Sequence, residues 1–374
     1  MGQTARLFLN GCKKYGSTSV GVGPDHISLQ RIYPMASLKY LGITFLSLSL
    51  LAFAYMVILF PAKPLNTNAI PVYFQIAEGA SVRTIISQLQ ERDIIRPFEV
   101  PFFYGYIKLK GSQKGIQAGE YVFPLNITPA QLLQKWVKGD VIIHSFMVTE
   151  GMTFAQMMRA MQFHPAIKKT LWGKSDDEVM QLLGESGSAE GLFFPDTYYF
   201  KAKTTDKTLL TRARKTMNDK LANAWQHRDR TIVVKSPYQA LILASIIEKE
   251  TGSDSEREKI SGVFQRRIIK NMRLQADPTV VYGLENYSGR ITKENLQSEN
   301  PYNTYRHAGL PPGPIALPGI KSIEAALHPD KGDALYFVAK GDGTHVFSNT
   351  LLEHNQAVAQ YIQRMSTHES KREP

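Results

Sequence analysis

The chain has 374 residues, 43% of them hydrophobic and 21% charged, which excludes a disordered polymer and suits a folded protein of roughly two to three domains. Its formal net charge of +11 points to acidic surroundings, yet the basic residues are scattered and show neither zinc-ligand spacing nor an aromatic RNA-binding signature, so nucleic acid is not an expected partner. The single cysteine, Cys12, excludes intrachain disulfides and zinc sites built on cysteine.

Residues 1–34 have little periodicity. Met35-Ala-Ser-Leu-Lys39 looks like the start of a membrane protein, so Met35 is the expected physiological start. From Leu41 to Phe60 the sequence carries no charge and has the length, about 20 residues, that a helix needs to cross a bilayer. Ala52-Phe53-Ala54 resembles a signal-cleavage motif, but the apolar run continues to Phe60, beyond the usual signal core, and a retained anchor is expected. Arg6, Lys13, Lys14, Arg31 and Lys39 precede the run, while only Lys63 comes after it before Arg83; this asymmetry places the N-terminus in the cytoplasm and the rest of the chain outside. Residues 61–70, rich in Pro and Asn, form a short spacer that keeps the next domain near the membrane.

A three-fold echo comes next, starting at Phe74, Tyr121 and Phe146. Each copy reads as a short alternating strand, a turn, a capping Ser or Thr and an amphipathic helix. Ser81 caps a helix with Val82, Ile85, Ile86 and Leu89 on one face, and Thr128 caps one with Leu132, Leu133 and Trp136. The segment Glu78-Gly-Ala-Ser-Val-Arg-Thr-Ile-Ile-Ser-Gln-Leu89 resembles the strand-to-helix junction of LysM-type glycan-binding modules; a purely structural unit that positions the next domain reads equally well. For Phe98, Phe102, Phe103, Tyr104 and Tyr106, packing is expected rather than sugar stacking.

Further along, Ala240-Leu-Ile-Leu-Ala-Ser-Ile-Ile-Glu-Lys-Glu250 is apolar on nearly every face until two carboxylates emerge at its end. Gly252 stops this helix, and Ser253-Asp-Ser-Glu256 reads as a capping box opening the next one, through Asn271. A Glu flanked by Ile246 and Ile247 should resist ionisation, which is what a proton donor at neutral pH requires. Spacing alone does not separate Glu248 from Glu250.

Six blocks in order resemble the MltG (YceG-like) family of endolytic murein transglycosylases: Glu190-Gly-Leu-Phe-Phe-Pro-Asp-Thr-Tyr198, Ala244-Ser-Ile-Ile-Glu-Lys-Glu-Thr251, Met272-Arg-Leu-Gln-Ala-Asp-Pro-Thr-Val-Val-Tyr282, Tyr302-Asn-Thr-Tyr305, Gly309-Leu-Pro-Pro-Gly-Pro-Ile315 and His354-Asn355. The resemblance implies Glu248 as the acid/base. It implies cleavage of the bond between N-acetylmuramic acid and N-acetylglucosamine without water, the 6-hydroxyl of the muramic sugar closing a 1,6-anhydro ring. Gln275, Asp277, Thr279, Tyr302, Asn303, Thr304 and Tyr305 are the candidate substrate-binding residues; a turn at Asp277-Pro278 and a packed loop at Tyr302–Tyr305 are the bland alternatives. Pro311-Pro-Gly-Pro314 should form a rigid wall, and His345, His354 and Asn355 structural hydrogen bonds. No metal or cofactor is expected.

The expected architecture is therefore α+β. A cytoplasmic tail (1–40), a transmembrane helix (41–60) and a linker (61–70) precede a LysM-like module (71–145), a YceG-like catalytic domain (146–368) and a C-terminal tail (369–374). The expected location is the bacterial inner membrane, single-pass, with the catalytic domain in the periplasm. Peptidoglycan glycan strands are the expected substrate, newly made ones above all, with termination of strand elongation as the expected role and peptidoglycan synthases as neighbours. A hydrolytic muramidase using Asp277 as a second carboxylate, and an inert wall-binding scaffold that recruits synthases, are the rival readings.

Overall fold

A computed structural model describes residues 35–67, 72–284 and 287–369. The proposed start at Met35 and the N-terminal tail preceding it concern residues 1–34, which lie outside the described residues, as do residues 370–374 of the expected C-terminal tail. Contacts divide the chain into Met1–Phe60 and Pro61–Pro374.

In the first unit, α1 (Met35–Ala54) runs on into a π-helical turn, Tyr55–Leu59. The stretch Lys39–Ala62 is long and apolar enough to cross a membrane. Thr44 returns its hydroxyl to the Tyr40 carbonyl at 3.0 Å, so this polar group is satisfied without water.

The second unit opens with β1 (Val72–Ile76), α2 (Val82–Glu91), α3 (Val100–Leu109), β2 (Gly119–Phe123) and α4 (Pro129–Lys138). β1 and β2 pair antiparallel with Phe74 opposite Tyr121. Alternation sends Phe74, Ile76, Tyr121 and Phe123 inward, where they meet Ile85, Ile86 and Leu89 of α2, Phe103 of α3 and Trp136 of α4. Trp136 stacks on Phe103 at 5.8 Å and on Phe74 at 6.3 Å, and each such buried side chain contributes about 2–3 kcal/mol by area. Of the five aromatics from Phe98 to Tyr106, Phe103 and Tyr106 are buried and Phe98 is exposed.

β3 (Ile143–Met147), α5 (Phe154–Phe163), α6 (Asp176–Leu182), β4 (Thr197–Lys201), α7 (Asp206–Gln226) and α8 (Pro237–Glu250) come next in the chain. Then come α9 (Arg257–Ile269), α10 (Asp277–Tyr282), α11 (Lys293–Gln297), α12 (Ile320–Leu327), β5 (Tyr336–Ala339), β6 (His345–Ser348) and α13 (Leu351–Glu369). β3 pairs antiparallel with β4, and β5 with β6. The echo is real: Ser81, Thr128 and Thr153 accept the backbone N–H three residues on, and each opens a helix after a strand and a turn.

α8 is the central element. Ser236 caps it, Pro237 occupies its first turn, and Ala240 to Ile247 are all buried against neighbours that include α7, α9, α10 and α12. The expected capping box at Ser253–Glu256 does not form. α9 starts at Arg257 without a side-chain cap, because Glu256 turns its carboxylate to His345, accepting from the backbone N–H at 2.9 Å and meeting Nδ1 at 2.8 Å. Two buried hydrogen bonds to His345 take the place of a cap open to water.

Candidate active site

Two residues of α-helix turn the side chain by roughly 200°, so Glu248 and Glu250 leave the end of α8 in nearly opposite directions. The Glu248 side chain is only 6% exposed. Its Oε2 accepts the Gly319 N–H at 2.9 Å, and its Oε1 lies 3.5 Å from the guanidinium of Arg257. Arg257 is itself buried and donates Nε to the Ser322 hydroxyl at 3.1 Å. Ile246 and Ile247 are fully buried, but the groups bound to this carboxylate are a cation and a backbone donor.

Glu150 completes that nest. A Cβ at Gly319 would lie 1.8 Å from Glu150 Oε1, so a side chain there would displace the carboxyl from its present place. Burial, then the charge of Glu248, push the Glu150 carboxyl above its ordinary range, against the pull of Arg257 and Lys321.

Glu250 faces the other way. It lines a cavity of about 500 Å³ together with Gln275, Asp277, Tyr305, Arg267 and His345. Burial pushes its carboxyl up to about 8, with the charge of Asp277 acting in the same direction and Arg267 opposing. Asp277 accepts the Tyr305 hydroxyl at 2.6 Å. Burial and this bond push the Tyr305 phenol upward, so it stays a donor. Gln275 sits at φ 52°, a left-handed conformation unusual for its type, and its N–H donates to Thr304 O at 3.2 Å.

The remaining candidates lie behind this wall. Thr279, Asn303 and Thr304 are buried. The hydroxyls of Thr279 and Thr304 bond each other at 2.9 Å, and Thr304 accepts the Ala276 N–H at 3.0 Å. Asn303 gives its amide to the carbonyls of Asn295, Leu296 and Ser298, and accepts from Tyr305 N. Tyr302 packs on Tyr282 at 4.8 Å. In the expected proline wall, Pro311 and Pro312 line a cavity of about 500 Å³ with Tyr238 and Gln239, and just beyond it Ile315 N donates to the Ser245 hydroxyl of α8 at 3.0 Å.

A second cavity, about 690 Å³, shares Asp277 with the first and is lined also by Lys249, Glu190, Tyr282 and Tyr287. Glu190 opens the first of the six sequence blocks but is not among the site residues expected from sequence. It accepts the Phe154 N–H through both oxygens, at 3.0 and 3.2 Å, and the Tyr282 hydroxyl at 3.3 Å. Burial nevertheless pushes it up to about 7. An acid opening the apolar run Gly191-Leu-Phe-Phe was the available signal. The pair Glu256–His345, from segments 89 residues apart, was not visible in the sequence.

Residues 74–360 match the model of the YceG-like family. The chain is 37% identical over 309 residues to the endolytic murein transglycosylase of Bacillus subtilis, a match covering 78% of this chain and 85% of that protein. It is 26% identical over 347 residues to the endolytic murein transglycosylase of Streptococcus pneumoniae, covering 83% of this chain and 62% of that longer protein, a little under two thirds of it. A solved structure of a YceG-like protein from Listeria monocytogenes aligns with a TM-score of 0.48 at 30% identity, covering 77% of this chain and 99% of that one.

Proposed function

The chain belongs to the YceG-like family, and on that premise we propose that it is a lytic transglycosylase acting on peptidoglycan, anchored by one membrane helix. The observation that carries the chemistry is the raised carboxyl of Glu250 in a cavity walled by Asp277, Tyr305 and Gln275. A donor protonated near neutral pH can pass its proton to the glycosidic oxygen between N-acetylmuramic acid and N-acetylglucosamine. The resulting carboxylate then takes the proton of the muramic 6-hydroxyl as that oxygen closes on the anomeric carbon. One bond breaks and one forms, the proton count is unchanged, and a 1,6-anhydro end results. Asp277 helps by keeping Glu250 protonated and Tyr305 by holding Asp277, while Gln275 offers an amide to the sugar. Thr279, Tyr302, Asn303 and Thr304 support this wall from behind.

Glu248, the acid/base that the resemblance implies, has a different surrounding: a salt bridge to Arg257 and the Gly319 N–H. Paired variants separate the two assignments. Peptidoglycan digested with wild type, Glu248→Gln and Glu250→Gln is analysed by mass spectrometry for anhydro ends. Glu250→Gln should abolish them, about 10³-fold or more, while still unfolding in one cooperative transition. Full activity in Glu250→Gln would transfer the role to Glu248, and reducing ends from the wild type would favour the hydrolytic rival.

The β1–α2–α3–β2 unit is read as a LysM-like module, on the support of its strand–helix–helix–strand order and the Ser81 cap. The lysine and arginine excess before residue 40 supports a cytoplasmic N-terminus and a periplasmic remainder. A helix followed by so short a spacer favours action on nascent strands close to synthases, with strand termination as the consequence.

A further inference from the structure

We propose that the cleft between the β1–β2 pair and the β3–β4 pair is an accessory site for the anionic stem peptides of the glycan strand, apart from the cavities around Asp277. The inference rests on the peptidoglycan reading above. The cleft encloses about 920 Å³ and is lined by Lys168, Lys201, Lys203 and Arg212 against one acid, Glu78. Among the described residues no carboxylate comes within salt-bridge distance of these three lysines or of Arg212.

Backbone geometry gathers the cations. Lys168 N donates to Thr204 O at 2.9 Å and Lys203 N to Ala166 O at 2.9 Å, which ties the two lysine-bearing segments together. Lys203 takes φ 65°, a conformation that a non-glycine residue adopts at a cost, and which local packing must sustain. Lys201 reaches Gln117 Oε1 at 3.4 Å, on the stretch leading into β2.

The face of the β3–β4 pair turned to the cleft is also chemically unusual. Phe146, Tyr198 and Phe200 point inward, so the opposite face should be polar. It instead exposes Ile143 (54%) and Tyr199 (66%), with Ile143 paired directly across from Lys201. Cations beside an aromatic and an aliphatic surface, in a concave setting, suit a short peptide that ends in a carboxylate and carries methyl side chains. A flat anionic membrane would not enter such a cleft.

The test uses full-length protein and three probes: glycan strands with stem peptides, the same strands with their peptide carboxylates chemically amidated, and strands stripped of peptides by an amidase. Wild type should bind the first about 5–10-fold more tightly than the other two, with the difference shrinking as salt rises. Lys201→Gln/Lys203→Gln should bind all three alike while cleaving stripped strands at the wild-type rate. Should that double variant fail to fold, Lys168→Gln should lower the preference in the same direction. Equal binding of the three probes by wild type, an undiminished preference in the lysine variants, or displacement of peptide-bearing strands by anionic lipid vesicles alone would overturn the proposal. Failure of wild type to cleave any strand would count against the catalytic reading and leave the binding comparison readable.

Discussion

Glu248 and Glu250 illustrate what one helix end can conceal. The sequence marks a buried helix ending in two acids, and that much is correct: Ala240 to Ile247 are buried and both carboxylates emerge at the end. What it does not contain is the partner each acid meets, because Gly319 and Glu150 on one side and Asp277 and Tyr305 on the other come from other segments, and only the fold decides that Arg257 and Arg267 of the next helix turn to opposite acids. The difference has a pH signature. Glu250 binds its proton with a pKa of about 8 in the fold against an ordinary 4.5, so the folded chain holds an extra proton between those values. Its stabilising contribution is full below the lower value and lost as pH rises through the upper one. The melting temperature should therefore fall between about pH 5 and 8, and Glu250→Gln should flatten that slope without Glu190, raised to about 7, ceasing to contribute its own part. Activity should decline above about pH 8 as the donor deprotonates. A slope unaltered in Glu250→Gln would remove this group as the cause.

At the level of elements, strands, turns and capped helices were legible because each is encoded locally. Ser81, Thr128 and Thr153 cap where alternation gives way to helical spacing. The misread cap at Glu256 has the opposite origin: a favourable local pattern lost to His345, a partner 89 residues away. The loops behind the cleft obey the same logic. Tyr302 to Tyr305 have polar and aromatic chemistry suited to sugars, but Asn303 and Thr304 are enclosed by carbonyls and hydroxyls that no spacing rule foretells. One loop junction can be tested directly. Gly191 adopts φ 77°, and a Cβ there would lie 2.4 Å from the Pro314 side chain, a ring that cannot swing aside. Gly191→Ala should cost about 2–4 kcal/mol, from backbone strain plus the clash. It should also lower turnover, since Glu190 and Ile315 flank the contact and both line the second cavity. Chemical denaturation with a parallel cleavage assay reads both; an unchanged midpoint would mean that the Pro314 loop is free to retreat.

For the molecule as a whole, the apolar helix and the folded remainder are separate physical statements, and they predict separable losses. Lys39–Ala62 meets the length and hydropathy needed to span a bilayer, and residues from Pro61 onward form their own compact unit with an independent core. The residues of the candidate chemistry all lie in that second unit. A chain beginning at Pro61 should accordingly fold, remain soluble and generate anhydro ends from purified peptidoglycan at close to the full-length rate. Under the proposed action on nascent strands, the same fragment, exported by a cleavable signal, should affect strand length inside cells far less than the full chain, because a tethered enzyme meets such strands at a far higher local concentration than a diffusing one. Glycan-strand length distributions from cells carrying the full chain, the exported fragment, or the exported fragment fused to an unrelated membrane helix read this out. Restoration by the unrelated helix would assign α1 a purely positional role, whereas restoration only by the native helix would point to specific contacts made within the bilayer.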